Sequence, residues 1–206
     1  MVRTTIQFLL IACCAAQASA SPLTVRVVDA KGHAVRDAVV TLRPAVGAHS
    51  APRGGSFTVS QEDMQFHPFV LVVPVGARVA FPNRDSTRHH VYSFSPAKRF
   101  ELKLFAKDQS RSVLFDKPGI VALGCNIHDG MTAFVVVSDS AWAAKTGANG
   151  VVRFDDVPAS AARLSVWHPY LRAKANIVER QIGPGERAAS FSVALRPAPM
   201  AMDHGY

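Results

Sequence analysis

Residues 123–131 read LGCNIHDGM and carry Cys125, His128 and Met131. Cys125 is the only cysteine beyond the first fourteen residues. A thiol, an imidazole and a thioether at Cys-x-x-His-x-x-Met spacing form a mixed set of soft and borderline donors. This is the chemistry of a trigonal His₂Cys copper site with a weak axial Met. The stretch follows directly on IVAL (120–123), a short β-branched and aliphatic run introduced by Pro118-Gly119, so the three donors are expected in a loop at the end of a strand. The set lacks one histidine.

Working outward, VAFPNRDSTRHHVYSF (79–94) is the natural source of that histidine. A hydrophobic strand ends at Phe81, Asn83 and Asp85 fall in a polar loop, and a new strand starts at His89-His90-Val91. Neighbouring side chains on a strand point to opposite faces, so one member of the histidine pair faces the metal and the other turns away. His67 in QFHPF and His168 in VWHPY, each beside a proline, are read as structural or surface groups.

The rest of the chain is strand after strand. PFVLVV (68–73), ARVAF (77–81), HHVYSF (89–94), FELKLF (100–105), SVLF (112–115), IVAL (120–123) and TAFVVV (132–137) are short and regularly punctuated by turn formers, the pattern of a β-sandwich. No helical period of useful length occurs; SDSAWAAK (138–145) comes nearest and is read as a short connector. Upstream lie TVRVVD (24–29) and AVVTLR (38–43) around a turn at Lys31-Gly32, followed by a Gly/Pro/Ser-rich loop, VGAHSAPRGGS (46–56). Downstream the strands resume in GVVRFDDVP, ARLSVWHP (162–169), ANIVERQI (175–182) and SFSVALR (190–196).

The N-terminus has the form of a secretory signal, with Arg3, the apolar run IQFLLIACCAA and a small-residue cleavage site ASA at 18–20. LIAC (10–13) is a competing lipoprotein box. Cleavage after residue 20 removes Cys13 and Cys14 and leaves Cys125 alone in an oxidising compartment, where a thiol calls for burial or a metal. A buried core cysteine is the plain alternative. No other apolar stretch is long enough to span a membrane, so the mature protein is expected to be soluble and periplasmic. The net charge of the precursor is +8, but Lys and Arg are scattered, which argues against nucleic acid as a partner.

With these residues in view, two resemblances emerge. FPNRD, HHV, the Pro118-Gly119 turn and GCNIHDGM resemble the cupredoxin family, the plastocyanin and amicyanin type in particular, over residues 64–138. HHVYSFSPAKRFELKLF and DKPGIVALGCNIHD look like a bacterial cupredoxin group often labelled methylamine utilization protein. The resemblance implies a Greek-key β-sandwich holding one type 1 copper, with His89, Cys125 and His128 as equatorial ligands and Met131 axial. In that picture His128 reaches the surface as the electron port, with Pro96, Ala97, Ile127 and Met131 as its expected neighbours. One departure stands out: the family commonly places Asn after the first His, where this chain has His90. VRVVDAKGHAVRDAVVTLRP together with GANGVVRFDDVPASAARLSVWHPYL resembles the carboxypeptidase regulatory-like β-sandwich.

The expected organisation is therefore all-β: a signal peptide (1–20), a cupredoxin domain (55–140), a second small β-sandwich from the flanks (21–50 and 141–197) and a disordered tail (198–206). The expected function is a periplasmic blue-copper electron carrier serving a redox partner such as a dehydrogenase or a c-type cytochrome. The alternative is a copper-binding or trafficking module whose flanking sandwich recognises a partner. A metal-free structural or ligand-binding sandwich is a third reading, and zinc would suit the same nitrogens and sulfur less well. An enzyme is not expected. Cys125 lies between Gly124 and Asn126, so no adjacent histidine links it to a second copper centre, and there is no Ser/His/Asp signature or phosphate loop.

Overall fold

The computed structural model describes residues 21–46 and 54–198. Residues 1–20, read as a signal peptide, residues 47–53 of the loop, and the tail from residue 199, read as disordered, lie outside the described residues. Within them the chain is all-β: seventeen strands, one turn of 3-10 helix at Lys174–Asn176 and no α-helix. Among the described residues no helix is long and apolar enough to cross a membrane.

The strands are β1 (Ser21–Asp29), β2 (Val39–Pro44), β3 (Ser56–Thr58), β4 (Ser60–Glu62), β5 (Gln65–His67), β6 (Val70–Pro74), β7 (Ala77–Pro82), β8 (His89–Ser95) and β9 (Lys98–Phe105). They continue as β10 (Ser110–Phe115), β11 (Gly119–Gly124), β12 (Thr132–Ser138), β13 (Trp142–Lys145), β14 (Val151–Val157), β15 (Ala162–Trp167), β16 (Ile177–Ile182) and β17 (Ala188–Val193). Two sheets, β10-β7-β3 and β6-β12-β11-β8-β9, are built from the central segment. Their inward residues form one core: Val79 and Phe81 of β7, Val91 of β8, Phe115 of β10, and Val121 and Leu123 of β11 meet there with Cys125 and Met131. The period-2 alternation of these strands is what buries one face of each.

The flanks form two further sheets, β14-β1-β17 and β13-β2-β15-β16. Leu23, Val25 and Val27 of β1 oppose Val40 and Leu42 of β2 and Leu164 and Val166 of β15 in a second core. β12 joins the two parts. Its Ala133, Val135 and Val137 face the central core, while Val136, with Phe134 packed beside it, meets Val39 and Trp167 from the flanks. Phe134 stands edge-on to both Phe69 (5.6 Å) and Trp167 (5.4 Å). A strand covered on both faces needs an unbroken apolar run, which is why TAFVVV does not alternate.

Residues 138–145, read as a connector, instead lead into β13, which pairs with β2 from Trp142–Leu42 to Lys145–Val39. The serines explain the choice. Ser138 Oγ accepts from the Ser140 N–H, Ser140 Oγ accepts from the Trp142 N–H and donates to the Leu42 carbonyl. These bonds give the backbone an alternative to a helical ladder. A second unforeseen element is the β4–β5 hairpin, closed by the two-residue turn Asp63-Met64 with φ of 52° and 54°. Positive φ at both positions is the primed turn that suits the twist of a tight hairpin.

Candidate metal centre

β8 and β11 lie side by side, with Tyr92 paired to Gly124, so the start of β8 and the end of β11 fall at the same end of the sandwich. His89 opens β8 and is completely buried; Cys125 follows β11 and is 4% exposed. His89 Nδ1 lies 3.9 Å from Cys125 Sγ, and His128 Nδ1 lies 3.8 Å from the same sulfur. The three donor atoms all fall within 4.8 Å of one another, and no other cluster of three such residues occurs among the described residues. The His89 and His128 rings are 5.0 Å apart.

The loop that carries Cys125, His128 and Met131 is closed by its own backbone. The Met131 N–H donates to the His128 carbonyl (3.0 Å) and the Cys125 N–H to the Met131 carbonyl (3.3 Å), and the Met131 side chain is buried in the core alongside Cys125. His90 turns to the opposite face, where its Nε2 lies 2.9 Å from Glu101 Oε1. Of the pair, His89 is thus the one beside the thiol. His67 is exposed in β5, and His168 is buried in the flanking part, so neither joins the cluster.

The far nitrogen of His89 meets Asp85: Nε2 to Oδ2 is 2.6 Å. An ionised carboxylate can only accept, so Nε2 is the donor of this contact and Nδ1 is the ring nitrogen on the Cys125 side. Asp85 also accepts the N–H groups of Asp63 (2.7 Å) and Met64 (3.0 Å) at the hairpin tip. Burial pushes its carboxyl up, but the hydrogen bonds from Met64, His89 and Asp63 outweigh this and leave it below the usual carboxylate value. Asn83 holds the loop from within, donating to the carbonyls of Thr87 (2.8 Å) and Phe105 (3.1 Å) and accepting the Asp85 N–H (2.9 Å). With His90 turned away, Asn83 ties the loop down from six residues before His89.

Sequence reasoning placed Asp85 in a polar loop and gave it no role. The available signal was a carboxylate four residues ahead of the candidate ligand His89. The structure also corrects the expected surroundings of His128. Ala97 packs at Gly119, where a Cβ would come within 2.8 Å of it, and Gly119 opens β11 at the end opposite Cys125. Six residues of strand put Pro96 and Ala97 roughly 20 Å from the site. Ile127 does lie on the ligand loop and is exposed.

The solved structures this chain resembles include several cupredoxins. A reduced Cu(I) mutant of amicyanin aligns at 27% identity over 48% of this chain and 98% of its own, with a TM-score of 0.38. A purple cupredoxin from Nitrosopumilus maritimus aligns at 22% identity over 39% and 98%, with a TM-score of 0.36. The Cu-containing nitrite reductase of Thermus scotoductus SA-01 aligns at 25% identity over 47% of this chain, with a TM-score of 0.40, and the match spans only 25% of that enzyme. No protein-family model and no curated protein sequence matches the chain. The central part is an all-β sandwich with its donor cluster at one end.

Proposed function

We propose that this is a periplasmic type 1 copper protein that carries single electrons between redox partners. The observation that carries the reading is the placement of two imidazole nitrogens 3.8 and 3.9 Å from one buried cysteine sulfur. For comparison, metal–sulfur and metal–nitrogen bonds of about 2.3 and 2.0 Å at a trigonal angle span about 3.7 Å, so one ion fits between these donors without displacing them. A thiolate, two imidazoles and a neighbouring thioether favour copper over harder metals. When bound, copper supplies a one-electron couple, Cu(II)/Cu(I).

The protein's own part is to hold the donors still and dry. His89 and Met131 are sealed from solvent, Cys125 nearly so, and His128 is half-buried at the surface end of the loop, which suits it as the electron port. Donors packed into a core rearrange little between the two charge states, and that favours electron transfer over catalysis. Gly124 and Asn126 on either side of Cys125 offer no bridge to a second metal. The signal-like N-terminus supports a periplasmic location, and a dehydrogenase or c-type cytochrome is the partner class such a carrier would serve. We read the flanks as a carboxypeptidase regulatory-like sandwich that fixes the carrier in an assembly.

The test is the visible spectrum after addition of Cu(II), with voltammetry. An intense thiolate-to-Cu(II) band and a reversible one-electron wave are expected. A colourless complex, or one that yields its copper to a chelator within seconds, would favour the trafficking role and overturn the carrier.

A further inference from the structure

The Asp85 carboxylate is gripped from two sides. On one side are the consecutive N–H groups of Asp63 and Met64, aimed together because both residues have positive φ. Successive amides in such a turn make a concave anion site. On the other side is His89 Nε2 at 2.6 Å. The hairpin is itself locked to the loop, since the Arg84 N–H donates to the Gln61 carbonyl (2.8 Å) and the fully buried Gln61 side chain donates to the Pro82 carbonyl (3.2 Å). The chain of contacts runs from hairpin to carboxylate to imidazole to donor cluster.

Resting on the copper reading, we infer that Asp85, seated on the β4–β5 hairpin, is a positioning residue that sets the tautomer and donor strength of His89 and so selects Cu(II) over Cu(I). A carboxylate on the distal nitrogen gives the imidazole more negative character, and the more highly charged ion gains more from it. The bond also fixes the ring plane before metal arrives, so no ordering of His89 is needed on binding. A carboxylate that only stitched the loop would need the hairpin amides alone. Here the shortest of its three bonds goes to the imidazole.

The experiment compares the full chain with Asp85→Asn, which removes the charge and keeps one oxygen, either at the Oδ1 position for the Asp63 N–H or at the Oδ2 position that serves the Met64 N–H and His89. Cu(II) affinity is expected to fall by about 10- to 100-fold and Cu(I) affinity by less, so the midpoint potential rises. A tenfold loss confined to Cu(II) converts to about 59 mV. Independently of any variant or metal, the ¹⁵N shifts of His89 in the copper-free wild type should report the Nε2–H tautomer. An Nδ1–H tautomer there, or an Asp85→Asn protein with an unchanged ratio of Cu(II) to Cu(I) affinity and an unchanged potential, overturns the inference and leaves the copper reading standing. A wild-type protein with no affinity for copper overturns both.

Discussion

Tyr92 lies against Gly124 so closely that a Cβ on the glycine would come within 2.7 Å of the tyrosine ring. The ring is held between His90 and Phe94 on the outer face of β8, with centroids 5.7 and 5.1 Å away. Gly124 is also the last residue of β11 before Cys125, so the contact sets where the ligand loop begins. Gly124→Ala is expected to force the ring outward and destabilise the protein by about 1–3 kcal/mol, as overpacking does. Denaturant unfolding measures the loss. In the Gly124→Ala/Tyr92→Ala double variant the clash is gone, and the coupling energy from the cycle should cancel most of it.

The two adjacent histidines should behave in opposite ways. His89→Gln removes a buried donor beside Cys125 and should abolish the thiolate-to-Cu(II) band. His90→Gln loses a part-buried pair whose Glu101 side is exposed, worth on the order of 1 kcal/mol, and the spectrum should be unchanged. If the two variants exchanged these phenotypes, the assignment of the donor would be wrong.

Cys125→Ser replaces the soft donor with a hydroxyl in the same buried position. No charge-transfer band should form with Cu(II), and affinity for Cu(I) should fall by more than tenfold, read by competition with a chromogenic chelator. Full retention of metal affinity would overturn both the carrier and the trafficking readings.

Trp167 packs edge-on to Phe134 at the seam between the two sandwiches and is 6% exposed. Trp167→Ala is expected to cost about 3–5 kcal/mol through the cavity it leaves. Because the other face of β12 lines the central core, hydrogen exchange should accelerate in β12 as well as in β15. Exchange confined to β15 would show that the seam does not couple the two parts.

His168 gives the fold a pH dependence. Burial lowers its proton affinity below the ordinary value of 6.5, opposed in part by the Asp37 carboxylate and a hydrogen bond with the Arg36 backbone. Above pH 6.5 the imidazole is neutral folded and unfolded, and its contribution is fully present. As pH falls below 6.5 the unfolded chain takes up the proton first, so stability drops until the folded imidazole also protonates. Unfolding free energies from pH 7.5 to 5 should show this fall, and His168→Gln should flatten it.

The strand rhythm and the ligand spacing were determined by sequence alone. β7, β8, β11 and β12 follow their hydrophobic patterns to within a residue or two, because period-2 burial is a local property of the chain. The Cys125–His128–Met131 set is equally local, three donors on one short loop. What tertiary structure decided is whatever depends on a second segment arriving. SDSAWAAK became β13 because β2 offered its open edge to Trp142–Lys145. The β4–β5 hairpin turns at Asp63-Met64, which carries no Asn-Gly signal, and its tip is satisfied by a carboxylate from a different loop. That same non-local bond seats the Asp85 carboxylate on the hairpin, which residues 79–94 by themselves do not show; only its spacing of four residues before His89 is legible there.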